Sequence, residues 1–186
     1  MFANILVPLD GSALSEHALP MAQHVARASP TVMHLLKVIS LRPELETALL
    51  DSGEATVTVL ELARDAAQRL RDAQTVHGQA YLAGLAGPLR QAGLQVTTAL
   101  REGAAAEQIV AYAQAQAIDL IVMSTHGYSG FKRFLLGSVT DRVLRAGQTP
   151  VLVVPVVYAV FGLDLKLVAW EAKVERSSVG STEGET

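Results

Sequence analysis

Five short strand-like runs, the first nearly continuously apolar and the last wholly so, recur along this chain, and their alternation with stretches of helical spacing constrains the fold more than any other feature. They occupy residues 4–9, 31–39, 94–101, 118–123 and 150–154. A strand covered on both faces reads as a continuous apolar run, because both sets of its alternating side chains meet a packed layer. Strands separated by helices imply right-handed crossovers. The expected class is therefore α/β, a doubly wound, five-stranded parallel sheet with helices on both faces. In such sheets ligands sit beyond the carboxyl ends of the strands where the strand order reverses, so the loops after the first and fourth runs are the places to look.

The connecting segments carry their own signals. After Asp10-Gly11-Ser12 the spacing of Leu14, Ala18, Met21, Ala22 and Val25 predicts a helix, with Ser12 or Ser15 as N-cap and a kink from Pro20. Residues 41–58, with Pro43 and Gly53, read as a mobile insertion. Residues 55–93 read as mostly helical, with Leu60, Ala63, Ala67, Leu70, Tyr81, Leu85 and Leu89 as the expected buried face and Gly84, Gly87 and Pro88 as weak points. A further helix is expected over 104–116. Ser138 is expected to open the next one, with Asp141 as the far member of a capping box and Ala146-Gly147 at its end.

With 186 residues, half of them hydrophobic, the chain can bury one sizeable core, and one domain over 1–155 is expected. A net charge of −3 gives no electrostatic footprint for nucleic acid or an anionic membrane. Cysteine is absent, which removes disulfide and thiolate chemistry and suits a reducing compartment. The first ten residues lack a signal peptide's basic region and long apolar core, and no uncharged apolar stretch reaches the roughly 18 residues of a membrane span. A cytoplasmic protein is expected. Beyond the domain, residues 156–175 form an apolar extension in which Leu163, Leu165 and Leu167 alternate as in a strand that covers a partner subunit or the sheet edge. Residues 176–186 have the composition of a disordered tail.

The fourth run leads directly into Ser124-Thr125-His126-Gly127, and after nine further residues comes Gly137-Ser138. A loop that leaves a strand and enters a helix can hold phosphate, since backbone N–H groups and the helix amino terminus face the anion together. Gly127 and Gly130 would make the turn, and Ser138 would offer a hydroxyl. Taken alone, the segment reads equally as turn glycines and a helix cap. Its place after the fourth strand favours the phosphate loop. No Walker GxxxxGK or dinucleotide GxGxxG pattern is present, and the Gly127–Gly130 segment does not complete a nucleophile elbow. His17, His24, His34 and His77 lack metal-ligand spacing. Lys132 and Arg133 read either as neutralising partners of nucleotide charge or as a solvated basic pair.

Two segments, NILVPLDGS near the amino terminus and STHGYSGFKRFLLGSVTDRVLRAGQTPVLVVP near residue 155, resemble the two signatures of the universal stress protein family. The likeness covers roughly residues 1–155 apart from the insertion. It includes the ATP-binding branch's G-x-x-G, nine residues, G-S/T pattern, with Ser124 in place of the first glycine. The resemblance implies a Rossmann-like, adenine nucleotide α-hydrolase-like fold. It also implies ATP, or AMP or ADP, as ligand, with Mg2+ as companion ion. Gly127, Gly137 and Ser138 would then contact phosphates with Val139 close by, and Ser124, His126 and Gly130 would belong to the same loop. Asp10 would lie near the nucleoside, the Val38 backbone would meet adenine, and Pro8, Leu9 and Met123 would line the base or ribose. Lys37 stands where family members often carry histidine. The resemblance further implies a homodimer paired through residues 151–157.

Three roles compete: a nucleotide-binding stress or signalling module, an adenylating or ATP-hydrolysing enzyme, and a dimeric adaptor that has lost its nucleotide. The absence of a convincing catalytic base near the expected γ-phosphate favours the first, with slow ATP hydrolysis at most. An enzyme of similar fold would carry a glycine-serine-rich loop after the first strand, of which PLDGSALS is a poor version.

Overall fold

The computed structural model describes residues 2–28, 30–39, 57–125 and 137–155. Five strands, β1 (Asn4–Leu9), β2 (Val32–Ile39), β3 (Gln95–Glu102), β4 (Leu120–Thr125) and β5 (Val151–Pro155), form one sheet of order β3-β2-β1-β4-β5. Every pairing is parallel. The helices are α1 (Ala13–Glu16), α2 (Ala18–Arg27), α3 (Val57–Gln91), α4 (Ala105–Ala115) and α5 (Ser138–Ala146). The order reverses between β1 and β4. The doubly wound α/β architecture read from the five strand-like runs is the one observed, with strand ends displaced by one or two residues.

Alternation along each strand divides the core in two. Ile5, Val7 and Leu9 join Met33, Leu35 and Val122 on the face covered by α2 and α3, where Ala22, Leu82, Ala86 and Leu89 are buried. Leu6, Leu36, Ile121 and Met123 face the other way, onto Ala106, Ile109 and Ala113 of α4 and Val143 of α5. Each fully buried Leu or Ile contributes about 1.5–3 kcal/mol relative to an exposed one. His34 is buried between the β2 backbone and α4, with Nδ1 3.1 Å from the Tyr112 hydroxyl and Nε2 3.4 Å from Asn4 Oδ1. Burial pushes its pKa down, so it sits here as a packed neutral side chain.

Pro20 acts as expected and more sharply, because the helix breaks outright at His17. A helix running through that point would need Pro20 to donate to the Glu16 carbonyl, and proline has no N–H. As the third residue of α2 it has no such obligation. Ser12 caps α1, its Oγ accepting from the Ser15 N–H at 3.1 Å. Met21, placed on the buried face by spacing, is 37% exposed.

The long helix departs from expectation twice. It runs unbroken through Gly84, Gly87 and Pro88, since burial of Leu82, Ala86 and Leu89 against the sheet outweighs local propensity. Its sheet-packed part begins only near Gly78, so Ala67 and Leu70 are exposed and Ala63 only half-buried, while Tyr81 and Leu85 sit half-buried at the flank of the packed part. The second correction concerns α5. Its N-cap is Gly137, Ser138 is its first helical residue, and no side chain caps it. The Asp141 carboxylate instead accepts from Arg145 Nε at 2.8 Å, because glycine at the cap offers no side chain for a reciprocal box. Gly147, with φ +65, closes the helix as read.

The amino-terminal edge of the sheet is fastened by side chains. Asp119 Oδ2 accepts from the backbone N–H groups of Ala3 and Asn4 at 2.7 and 2.9 Å, and Thr31 Oγ1 donates to the Phe2 carbonyl at 2.7 Å. Among the described residues no helix is long and apolar enough to cross a membrane. The insertion expected over 41–58 (except its last two residues, which open α3), the strand expected within 156–175, the tail expected over 176–186, and Lys132 and Arg133 all lie outside the described residues.

Candidate functional site

The two neighbours of the central sheet seam behave differently. β1 stays in register with β2 from Asn4–Val32 to Leu9–Lys37, and β4 stays with β5 as far as Thr125–Pro155. Between β1 and β4 the registered pairs are only Ile5–Leu120 and Leu6–Ile121. Past Leu6 the strands part. Pro8, which has no N–H to give, falls in the parted stretch, where proline is tolerated in an otherwise central strand. The crevice expected at a reversal of strand order thus has a local cause in the sequence.

A cavity of about 260 Å³ lies at this opening. Pro8, Leu9 and Asp10 come from the end of β1, and Met123, Ser124 and Thr125 from the end of β4. Leu36 and Val38 come from β2, and Gly137, Ser138, Val139 and Thr140 from the start of α5. Leu14, Ser15, Ala105 and Ile109 complete the wall. Its lining combines the apolar side chains of the strand ends with hydroxyls and the first N–H groups of a helix.

Of the residues singled out from sequence, Pro8, Leu9, Asp10, Val38, Met123, Ser124, Gly137, Ser138 and Val139 are brought together on this lining. His126, Gly127 and Gly130 lie outside the described residues. Ser124 stands in β4 opposite Val154 as ordinary strand backbone, so its replacement of glycine meets no left-handed conformation. Leu14, Ser15, Leu36, Ala105, Ile109, Thr125 and Thr140 also line the cavity and were not singled out for it. Thr125 had a signal, being the second residue of the STHG segment. Ser15 was read only as a cap. The others reach the site through crossovers, which no local pattern announces.

Charge at the site centres on Asp10. Its Oδ1 accepts from the Ser12 N–H at 2.8 Å and from the Ser12 hydroxyl at 2.6 Å, an Asx-type turn that shapes the exit from β1. Partial burial works against the carboxylate, but the Ser12 bonds, Ser15 and the nearby Lys37 ammonium outweigh it and hold the pKa below the usual value. Gly11 follows with φ +95, a backbone that a side chain would strain. Across the cavity, Thr125 Oγ1 is buried with no hydrogen-bond partner among the described residues. A buried hydroxyl left in that state costs about 1–3 kcal/mol, which a ligand atom can recover. Among the described residues no group of three His, Asp or Glu side chains could hold a metal ion.

An open parallel sheet with a cavity at its strand-order reversal, bordered by a helix amino terminus, defines a doubly wound α/β protein with an opening where such sheets carry their ligands. The sequence profile of the universal stress protein family matches residues 1–155, and the chain belongs to that family. It is 30% identical over 154 residues to universal stress protein MJ0531 of Methanocaldococcus jannaschii, covering 83% of this chain and 82% of that one. The solved structure of MJ0577 from the same organism superposes with a TM-score of 0.64 at 27% identity, over 83% of this chain and 96% of that one. A universal stress protein in complex with cAMP shares the fold at a TM-score of 0.55 and 24% identity, over 82% of this chain and 97% of its own.

Proposed function

We propose that this universal stress protein binds an adenine nucleotide, with ATP as the intended ligand, and acts as a stress-response or signalling module rather than as an enzyme. The carrying observation is the cavity at the parted β1–β4 seam, which joins apolar strand-end side chains to a helix amino terminus. In this reading adenine enters between Val38, Leu36, Pro8 and Met123, and the Val38 backbone meets its polar edge. Leu9 borders the ribose. Asp10 accepts from a ribose hydroxyl, since a carboxylate already fixed by Ser12 is preorganised for that bond. The phosphates pass Ser124 and Thr125 toward Gly137, Ser138 and Val139, where the N–H groups at the start of α5 face an anion. His126, Gly127 and Gly130 complete the phosphate loop, and Mg2+ would accompany the triphosphate.

The neighbour in complex with cAMP supports a nucleotide as the class of ligand. The same reading has a cytoplasmic homodimer paired through residues 151–157, where β5 forms the edge of the sheet with Val151 to Val154 half-buried. Mass spectrometry of small molecules released on denaturing the purified protein, together with calorimetric titration of ATP, ADP and AMP, tests the proposal. No adenine nucleotide retained and none bound at millimolar concentration would point to a ligand-free adaptor. Fast multiple turnover of ATP would point to an enzyme.

A further inference from the structure

Leu36 and Val38 of β2 line the cavity, and Lys37 between them points to the opposite face of the sheet, toward α3. There a charged side chain enters a layer that is otherwise apolar. Its Nζ donates to the backbone carbonyl of Asp10, so a residue on the far face holds the loop that borders the cavity. The ammonium also lies 5.1 Å from the centre of the Tyr81 ring, within reach of a cation–π attraction. The Tyr81 hydroxyl donates to Glu16 Oε1 of α1 at 2.9 Å.

Two glycines make room for this arrangement. A Cβ on Gly11 would stand 2.8 Å from Lys37 Nζ. A Cβ on Gly78 would stand 2.8 Å from Leu100 Cδ1 and 3.6 Å from Lys37 Cδ, so Gly78 lets α3 close over the lysine stem. Burial draws the Lys37 pKa down while the Asp10 carboxylate works to keep the ammonium charged. Among the described residues the charged and polar groups near Asp10 on this side are Ser12, which caps α1, Ser15 and Glu16 from α1, Lys37 from β2 and Tyr81 from α3.

We infer that Lys37 is a positioning residue for ligand binding: from behind the sheet its ammonium fixes the Asp10–Gly11 turn, while Tyr81, held by Glu16, keeps the ammonium in place. The inference rests on the nucleotide reading for its effect on affinity and on the geometry alone for its effect on Asp10. Methionine at this position would fill the same space but leave the Asp10 carbonyl without its donor and the carboxylate without its neighbouring charge.

The test follows the Asp10 carboxyl by carbon NMR through a pH titration of the ligand-free protein, with calorimetric affinities for ATP and AMP on the same samples. Lys37→Met should raise the Asp10 pKa and weaken nucleotide binding about tenfold, the scale of one charge-assisted hydrogen bond. Lys37→Arg, which restores the charge, should return the Asp10 titration toward wild type. An unchanged Asp10 titration in folded Lys37→Met overturns the inference, as does a shifted titration with unchanged affinity. A wild-type protein that binds no nucleotide, yet shows the Asp10 shift on Lys37→Met, rejects the nucleotide reading and upholds the positioning of Asp10. If Lys37→Met does not fold, Tyr81→Leu takes its place by removing the ring beside the ammonium. Asp10 titrating there as in wild type overturns the inference equally.

Discussion

The two ends of the sheet are built on opposite terms. At the amino-terminal end the first backbone donors of β1 are taken by Asp119, the Phe2 carbonyl is taken by Thr31, and β1 and β4 are in register. At the carboxyl-terminal end the same two strands part, Thr125 keeps a buried hydroxyl with no partner among the described residues, and α5 begins with a glycine and no side-chain cap. One end satisfies its polar groups internally and contributes stability. The other leaves polar groups without partners among the described residues, and in the proposed reading a bound nucleotide takes them up. The contrast separates variants that change folding from variants that change binding.

The largest effect is expected from Gly137→Val. The glycine has φ −54, open to any residue, and among the described residues an added Cβ would meet only Thr140 Oγ1 at 4.0 Å, so the fold should survive. A branched side chain over the helix start should nonetheless exclude phosphate and lower ATP affinity by about a hundredfold or more, read by calorimetry. Wild-type affinity in this variant would break the assignment of the open end. Asp10→Asn should follow, with affinity about tenfold weaker through loss of a charged acceptor. Because folding and its partners lower the Asp10 pKa below 3.8, binding supported by the carboxylate is intact at neutral pH and fades as pH falls through that lowered value. A titration of affinity against pH should show this fade in the wild type and not in Asp10→Asn.

Thr125→Val should sharpen the comparison, because it has opposite effects on the two states. Removing an unpartnered buried hydroxyl should stabilise the free protein by about 1 kcal/mol, while weakening nucleotide binding about fivefold. Denaturant melts with and without ATP read both effects, and a destabilised free protein would show that the hydroxyl is satisfied after all. The smallest effect on binding is expected at the closed end. Asp119→Ala should lower the thermal midpoint and leave ATP affinity unchanged. The backbone donors of Asn4 and Ala3 lower the Asp119 pKa, so its contribution is present above the unfolded carboxyl pKa and is lost as pH falls through the folded one.

Much of this was legible in the sequence where a physical constraint is local. The inner strands β1, β2 and β4 announce themselves because double burial favours apolar runs, whereas the edge strand β3, mostly exposed, shows only a broken one, and Pro20 marks the break at His17 because a missing N–H acts on the chain nearby. Spacing failed where geometry is global. The helical period continues through Ala67 and Leu70, but nothing in a period states where the sheet stops lying beneath it. In α5 the serine after Gly137 looked like a cap and is one residue inside, a shift that only backbone angles reveal. At the site, residues at strand ends followed from topology. Ala105, Ile109 and Thr140 did not, since α4 and α5 arrive there by crossovers. The Lys37–Tyr81–Glu16 cluster joins residues far apart in sequence and has no linear signature at all.

The length of α3 has a kinetic consequence. Its 35 residues extend about 52 Å, whereas the eight residues of β3 span about 26 Å. Only the half from Gly78 onward is locked to the core, and Leu62, Leu70 and Val76 ahead of it are mostly exposed. One continuous helix therefore spans two regimes of amide exchange. Protons on the turns around Leu82 and Leu89 should be released only when the whole domain opens, and those ahead of Gly78 at the pace of an unsupported peptide helix. The step between the two rates would mark, along a single element, where the sheet ends.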